Sequence, residues 1–186
     1  MHGFLYASPL LRSGAQEGDI VAVSGTLGDA GAALNLLEKY SMEASGLCQE
    51  ERYLLDRYYA PSPRIALGQA LVSCASSCID ISDGLLAEAA HIAKASSVAL
   101  CLDSDKLPVS SELLFLKGKK HARELALSAG DDYELLFTLA PEKWEALVAD
   151  VTELRLSRVG VVQAGQGVFL DGLSVQNLLK GYQHFE

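Results

Sequence analysis

The sequence predicts a fold of the α/β or α+β class, a mixed sheet packed with helices. Strand-like and helix-like patterns alternate along the chain, as expected when one sheet and its helices share a core. Two strand patterns near the end, 158–163 and 168–170, flank Gly165 and Gly167 and read as a hairpin, which argues against a purely parallel sheet. With 186 residues, 49% of them hydrophobic and 21% charged, the chain has the length and composition to bury a real core.

Taken in order, residues 1–18 read as irregular and contain Gly14 and Gly18. Residues 19–24 (DIVAVS) carry β-branched side chains with some alternation and predict a strand. The turn Gly25-Thr26-Leu27-Gly28-Asp29 leads into an Ala- and Leu-rich helix over 30–40, and a second helix is expected over 49–59. Pro61-Ser62-Pro63 stops that helix. Ser62 is placed to cap the next one and Pro63 suits its first turn, with the helix running to about Cys74. Residues 78–82 form a short apolar strand, broken by Asp83-Gly84. Leu85, Ala89 and Ile92 then fall at helical spacing within a helix over 85–95. A strand follows at 98–102, with short helices at 110–116 and 122–128. The Lys117-Gly118-Lys119-Lys120 run between them reads as a solvated loop. Gly130-Asp131-Asp132 is a turn feeding a strand over 133–139. A helix over 141–149 starts with Pro141 and carries Trp144 in a packing role. The last segment, 178–186, is mixed and aromatic.

Lys and Arg total 15 against 24 Asp and Glu, a net charge of −9. Such a chain is poorly suited to gripping nucleic-acid phosphates. No apolar run approaches the roughly 18 residues that a membrane-spanning helix needs. Met1 to Tyr6 lack a basic, signal-like start. Cys48, Cys74, Cys78 and Cys101 show no Cys-x-x-Cys spacing and read as buried, reduced thiols. The histidines at 2, 91, 121 and 184 are scattered, without metal-ligand spacing. A cytoplasmic protein is expected.

Chemistry points to two acidic turns. In Ile79-Asp80-Ile81-Ser82-Asp83-Gly84, an extended segment puts Asp80 and Ser82 on one side, with Asp83 where strand gives way to helix. Carboxylates and a hydroxyl so placed can hold Mg²⁺ together with phosphate oxygens. Ser82 or Asp83 could equally cap the helix, and both roles can coexist. The second cluster, Gly130-Asp131-Asp132-Tyr133-Glu134, places adjacent acids before an apolar strand. They face water, a cation or a donor-rich ligand, or form an Asx turn. Arg12, in Arg12-Ser13-Gly14-Ala15, is a weaker candidate for gripping phosphate through its planar fork. Gly25-Thr26-Leu27-Gly28 lacks the Lys and spacing of a P-loop.

In combination these stretches resemble the thiamine-monophosphate kinase family, within the superfamily of aminoimidazole ribonucleotide and selenophosphate synthetases. The matching segments are Arg12-Ser13-Gly14-Ala15, Gly18-Asp19, Ser24 to Asp29, Pro61-Ser62-Pro63-Arg64, Ile79 to Leu85, Gly130 to Leu135 and Gly181-Tyr182-Gln183-His184-Phe185. The resemblance implies a three-layer C-terminal domain over 19–186. It makes residues 1–18 a lead-in from an N-terminal ATP- and Mg²⁺-binding domain that the sequence does not include. It implies transfer of the ATP γ-phosphoryl group to thiamine monophosphate, giving thiamine diphosphate, by an enzyme that dimerises through that N-terminal domain. Residue by residue, Arg12 and Ser82 match ATP contacts and Asp80 and Asp83 match Mg²⁺ ligands. Asp131 and Tyr182 match substrate contacts. The alternatives are a related ATP-using synthetase with another acceptor, or a non-catalytic remnant.

Overall fold

The structure is a computed structural model that describes residues 9–39 and 46–175. Strands are β1 (Ile20–Ser24), β2 (Ala75–Ile81), β3 (Ala99–Leu102), β4 (Glu134–Leu139), β5 (Leu156–Gln163), β6 (Gly167–Leu170) and β7 (Leu173–Ser174). Helices are α1 (Asp29–Lys39), α2 (Gln49–Tyr59), α3 (Ile65–Leu71), α4 (Leu85–Ser96), α5 (Ser111–Ser128) and α6 (Trp144–Asp150). Among the described residues the strands form one seven-stranded mixed sheet in the order β2-β4-β1-β5-β3-β6-β7. β1 is buried along its whole length. It pairs antiparallel with β4 on one side and β5 on the other, so its apolar run faces core on both faces.

The alternation of strand side chains splits the core into two layers. On one face Val21, Val23 and Leu136 pack with Leu85, Ala89 and Ile92 of α4. On the other, Ile20, Ala22, Phe137 and Leu139 pack with Leu67 and Leu71 of α3 and Trp144 and Leu147 of α6. The result is helix, sheet and helix in three layers. Fully burying each of these large apolar side chains is worth about 1.5–3 kcal/mol. A smaller cluster joins α1, α2 and α5 through Ala33, Leu36, Leu54 and Leu113.

Several expectations are corrected. β5 and β6 are not a hairpin: β3 lies between them, antiparallel to β5 and parallel to β6. The hairpin is instead β6 with β7. The third helix ends at Leu71 and β2 begins at Ala75, because Ala75, Ser77 and Cys78 pair with β4. Arg64, not Ser62, occupies the N-cap of α3, with no side-chain cap. Gly84, not Ser82 or Asp83, occupies that of α4. The lysine run sits inside α5, whose two halves meet at the non-helical Gly118. The cysteines are free, but Cys48 is exposed and the other three are only partly buried. Burial pushes the Cys78 thiol up to about 12, which keeps it protonated and inert. Trp144 packs as expected, with the Arg158 guanidinium 4.6 Å from its ring centre.

Candidate active site at two acidic turns

Pairing of β2 with β4 sets Asp80 opposite Leu135 and Ile81 opposite Glu134. The two acidic turns, far apart in sequence, therefore emerge side by side at one end of the sheet. The Asp131 N–H donates to the Ser82 carbonyl at 2.9 Å and the Tyr133 N–H to the Ile81 carbonyl at 3.0 Å. Gly130 makes this approach possible, because a Cβ there would lie 2.3 Å from the Ser82 oxygen.

Within Asp131-Asp132-Tyr133-Glu134 the side chains divide between surface and interior. Asp131 and Tyr133 adopt positive φ, 65° and 51°. Tyr133 is 43% exposed, and its hydroxyl donates to Asp131 Oδ1 at 3.2 Å. That bond holds the proton on the phenol and raises its pKa. Asp132 and Glu134 are buried. Asp132 accepts from the Gly28 N–H at 2.6 Å and the Ala30 N–H at 3.2 Å, satisfying donors at the start of α1. Burial pushes its carboxyl up to about 7, against the pull of those two bonds.

Glu134 is the hub of an ion-pair cluster. It takes a bidentate fork from Arg64, at 2.7 and 2.6 Å. It also accepts from Arg57 at 3.0 Å and from Ser24 at 2.6 Å. Arg57 Nε lies 3.6 Å from buried Asp29, which accepts from Ser110 and Thr26. Burial opposes charge on Arg57, but Glu134 and Asp29 outweigh it and raise its pKa. Sequence reasoning assigned no role to Asp132, Glu134, Arg57 or Arg64. The signal was available for three of them, since Arg64, Asp132 and Glu134 lie within the matching motifs.

Asp80 and Asp83 are exposed, and neither carboxylate makes a hydrogen bond or ion pair among the described residues. Ser82, half-buried beside them, donates weakly to Glu88 Oε1 at 3.4 Å. Glu88 is 3% exposed, and burial raises its pKa. Two hard, uncompensated carboxylates with a hydroxyl between them fit a Mg²⁺ ion that completes its shell with phosphate and water oxygens. Among the described residues no three acidic, His or Cys side chains converge into a complete metal site.

Ser82, Asp83 and Asp131 share a cavity of about 460 Å³, walled also by Gly31 and Leu34 of α1 and Tyr58 of α2. Asp80, on β2, is not among the residues that line it. Arg12 is exposed at a bend in irregular chain beside the β2 edge, where the Cys78 N–H donates to the Leu11 carbonyl at 2.8 Å. No hydrogen bond or ion pair joins it to Asp80 among the described residues. Tyr182 lies outside the described residues.

The family model for AIR synthase related protein, C-terminal domain, matches residues 16–172. The chain belongs to this C-terminal domain family. Within it, the chain is similar to the thiamine-monophosphate kinase of Aquifex aeolicus, 43% identical over 176 residues, covering 94% of this chain and 54% of that protein. The crystal structure of thiamine-monophosphate kinase from Stenotrophomonas maltophilia superposes with a TM-score of 0.84 at 44% identity, over 89% of this chain and 54% of that one. AaThiL complexed with AMPPCP and TMP superposes with a TM-score of 0.83 at 40% identity, over 95% of this chain and 54% of that one. This AIR synthase-related domain therefore spans about half the length of the relatives it matches. No helix among its described residues is long and apolar enough to cross a membrane.

Proposed function

We propose that this domain is the C-terminal part of a thiamine-monophosphate kinase, an enzyme that transfers the ATP γ-phosphoryl group to thiamine monophosphate and releases ADP and thiamine diphosphate. The observation that carries this reading is the meeting of the two acidic turns, Asp80-Ile81-Ser82-Asp83 and Gly130-Asp131, at one cavity. The bound AMPPCP and TMP of the similar AaThiL structure support it. In this reading residues 1–18 lead in from an N-terminal domain, and the complete enzyme is a cytoplasmic dimer joined through that domain.

Asp80 and Asp83 would hold Mg²⁺, which when bound neutralises phosphate charge that bare carboxylates would repel. Ser82 and Arg12 contact ATP, the hydroxyl donating to a phosphate oxygen and the guanidinium offering a planar fork. Asp131 and Tyr182 hold the acceptor. No side chain need act as general base, because an acceptor phosphate oxygen is already anionic at neutral pH. Phosphoryl transfer then depends on alignment and charge neutralisation more than on covalent chemistry.

The test is formation of thiamine diphosphate by the full-length protein carrying this chain, supplied with ATP, Mg²⁺ and thiamine monophosphate. Product is expected. Asp80→Ala and Asp83→Ala should each lower kcat by about 100-fold or more, the scale of losing several kcal/mol of charge stabilisation. Full turnover in both variants would overturn the metal assignment.

A further inference from the structure

The turn that joins β2 to α4 rests on a buried acid that takes no part in the chemistry proposed above. Glu88 lies in the first turn of α4 and is 3% exposed. Its Oε1 accepts from the Asp83 N–H at 3.3 Å and from the Ser82 hydroxyl at 3.4 Å. Both bonds are long, but no other hydrogen bond holds either donor among the described residues. The anchor itself is fixed. The Glu88 N–H donates to the Gly84 carbonyl at 3.1 Å, and Leu85, Ala89 and Ile92 of the same helix are locked in the core. Gly84 takes φ 104°, and a Cβ there would lie 2.8 Å from the Ser128 carbonyl oxygen. Stability does not explain an acid at this position. Burying a carboxylate is costly, and an apolar side chain of similar volume generally serves a core at least as well. The charged groups within electrostatic reach of Glu88 are Asp80, Asp83 and the exposed His91. Two of the three are acids, so the arrangement becomes favourable when a cation sits at the turn.

Building on the metal assignment of the kinase reading, we propose that Glu88 is the positioning residue of the metal-binding turn, acting by its hold on the Asp83 amide and the Ser82 hydroxyl. It touches neither metal nor substrate. It sets the Asp83 carboxylate in place before the metal arrives, as outer-shell partners of metal ligands do. When ATP binds, the Ser82 hydroxyl turns from Glu88 to the phosphate oxygen while the Asp83 amide stays bound.

The experiment uses the full-length enzyme with Mn²⁺ as the spectroscopic stand-in for Mg²⁺, bound metal being read by electron paramagnetic resonance. Asp80→Ala and Asp83→Ala identify the Mn²⁺ that depends on this turn. Glu88→Leu keeps the volume and removes the acceptor. It should weaken binding of that Mn²⁺ by about 10- to 100-fold, the range for losing an outer-shell partner. The Mg²⁺ concentration for half-maximal activity should rise to match, with KM for thiamine monophosphate unmoved. Glu88→Gln still offers a carbonyl acceptor and should keep most of the affinity. A role confined to folding would lower the unfolding temperature of Glu88→Leu and leave its Mn²⁺ binding unchanged; that result overturns the proposal. Should Glu88→Leu not fold, the wild type decides. Its Asp83 amide should exchange slowly with solvent deuterium before metal is added, and fast exchange would show that Glu88 does not hold it. If Asp80→Ala and Asp83→Ala keep every Mn²⁺, the metal assignment falls and the role of Glu88 falls with it. If they lose one and Glu88→Leu does not weaken it, the role of Glu88 alone falls.

Discussion

Glu134 has 1% side-chain exposure and lies between two guanidinium groups. Neutralising it would leave the half-buried Arg57 and Arg64 without their shared partner. Breaking such a pair from one side costs about 3–5 kcal/mol. Glu134→Gln should therefore lower the urea midpoint of unfolding by a corresponding amount; a loss below about 1 kcal/mol would show that solvent already screens the cluster. Asp132 gives a pH dependence of known sign. Its carboxyl rises from 3.8 to about 7 on folding because it is buried. Between those values the folded state holds a proton that the unfolded chain has released, so this group's contribution to stability falls as pH rises from about 4 to about 7. Asp132→Asn removes the titration. The stability of wild type minus that of the variant should thus decrease between pH 4.5 and 7.5, read by urea unfolding at each pH. A difference independent of pH would mean that Asp132 is already ionised when buried. The sequence marks both acids as unusual, but not which would face inward. Alternation along a turn with two positive-φ residues does not follow the simple period of a strand.

At the level of elements, α5 shows how local and tertiary preferences combine. Gly118 has φ 69° and ψ 165° inside a segment that is otherwise helical. This backbone region is essentially restricted to glycine. A Cβ there meets no neighbouring atom, so any cost of Gly118→Ala comes from backbone strain, not packing. The variant should lose about 1–3 kcal/mol in thermal or urea unfolding. Unchanged stability would indicate that the two halves of α5 can join into one helix without penalty. The elements legible in the sequence are those with strong local patterns: β1, α2, α4, β4 and the two parts of α5. The buried Leu85, Ala89 and Ile92 of α4 sit on the predicted face. What local pattern did not reveal was partner choice. β5 and β6 look like a hairpin because glycines separate them, yet Leu100 of β3 pairs with both Val162 and Val168. Inserting β3 lets each strand bury its side chains against α4, a benefit that short-range periodicity does not register.

For the whole molecule, the sheet brings the acidic turns together while leaving Asp80 and Asp83 open to solvent. About half the length of the matched relatives lies beyond this chain. If the kinase reading holds, this chain alone should give no thiamine diphosphate in an assay where the full-length protein does. Robust turnover by the chain by itself would show that a complete site lies within these residues. The sequence by itself determined the class of fold, the acidic character and the identity of the motif residues, because these depend on composition and on periodicities of two and 3.6 residues. Only the tertiary structure decided that Asp131 reaches Ser82, that Arg64 grips Glu134, and that Tyr58 walls the same cavity. Each of these contacts joins residues dozens of positions apart through strand order and register, and those are set by the burial of both sheet faces together.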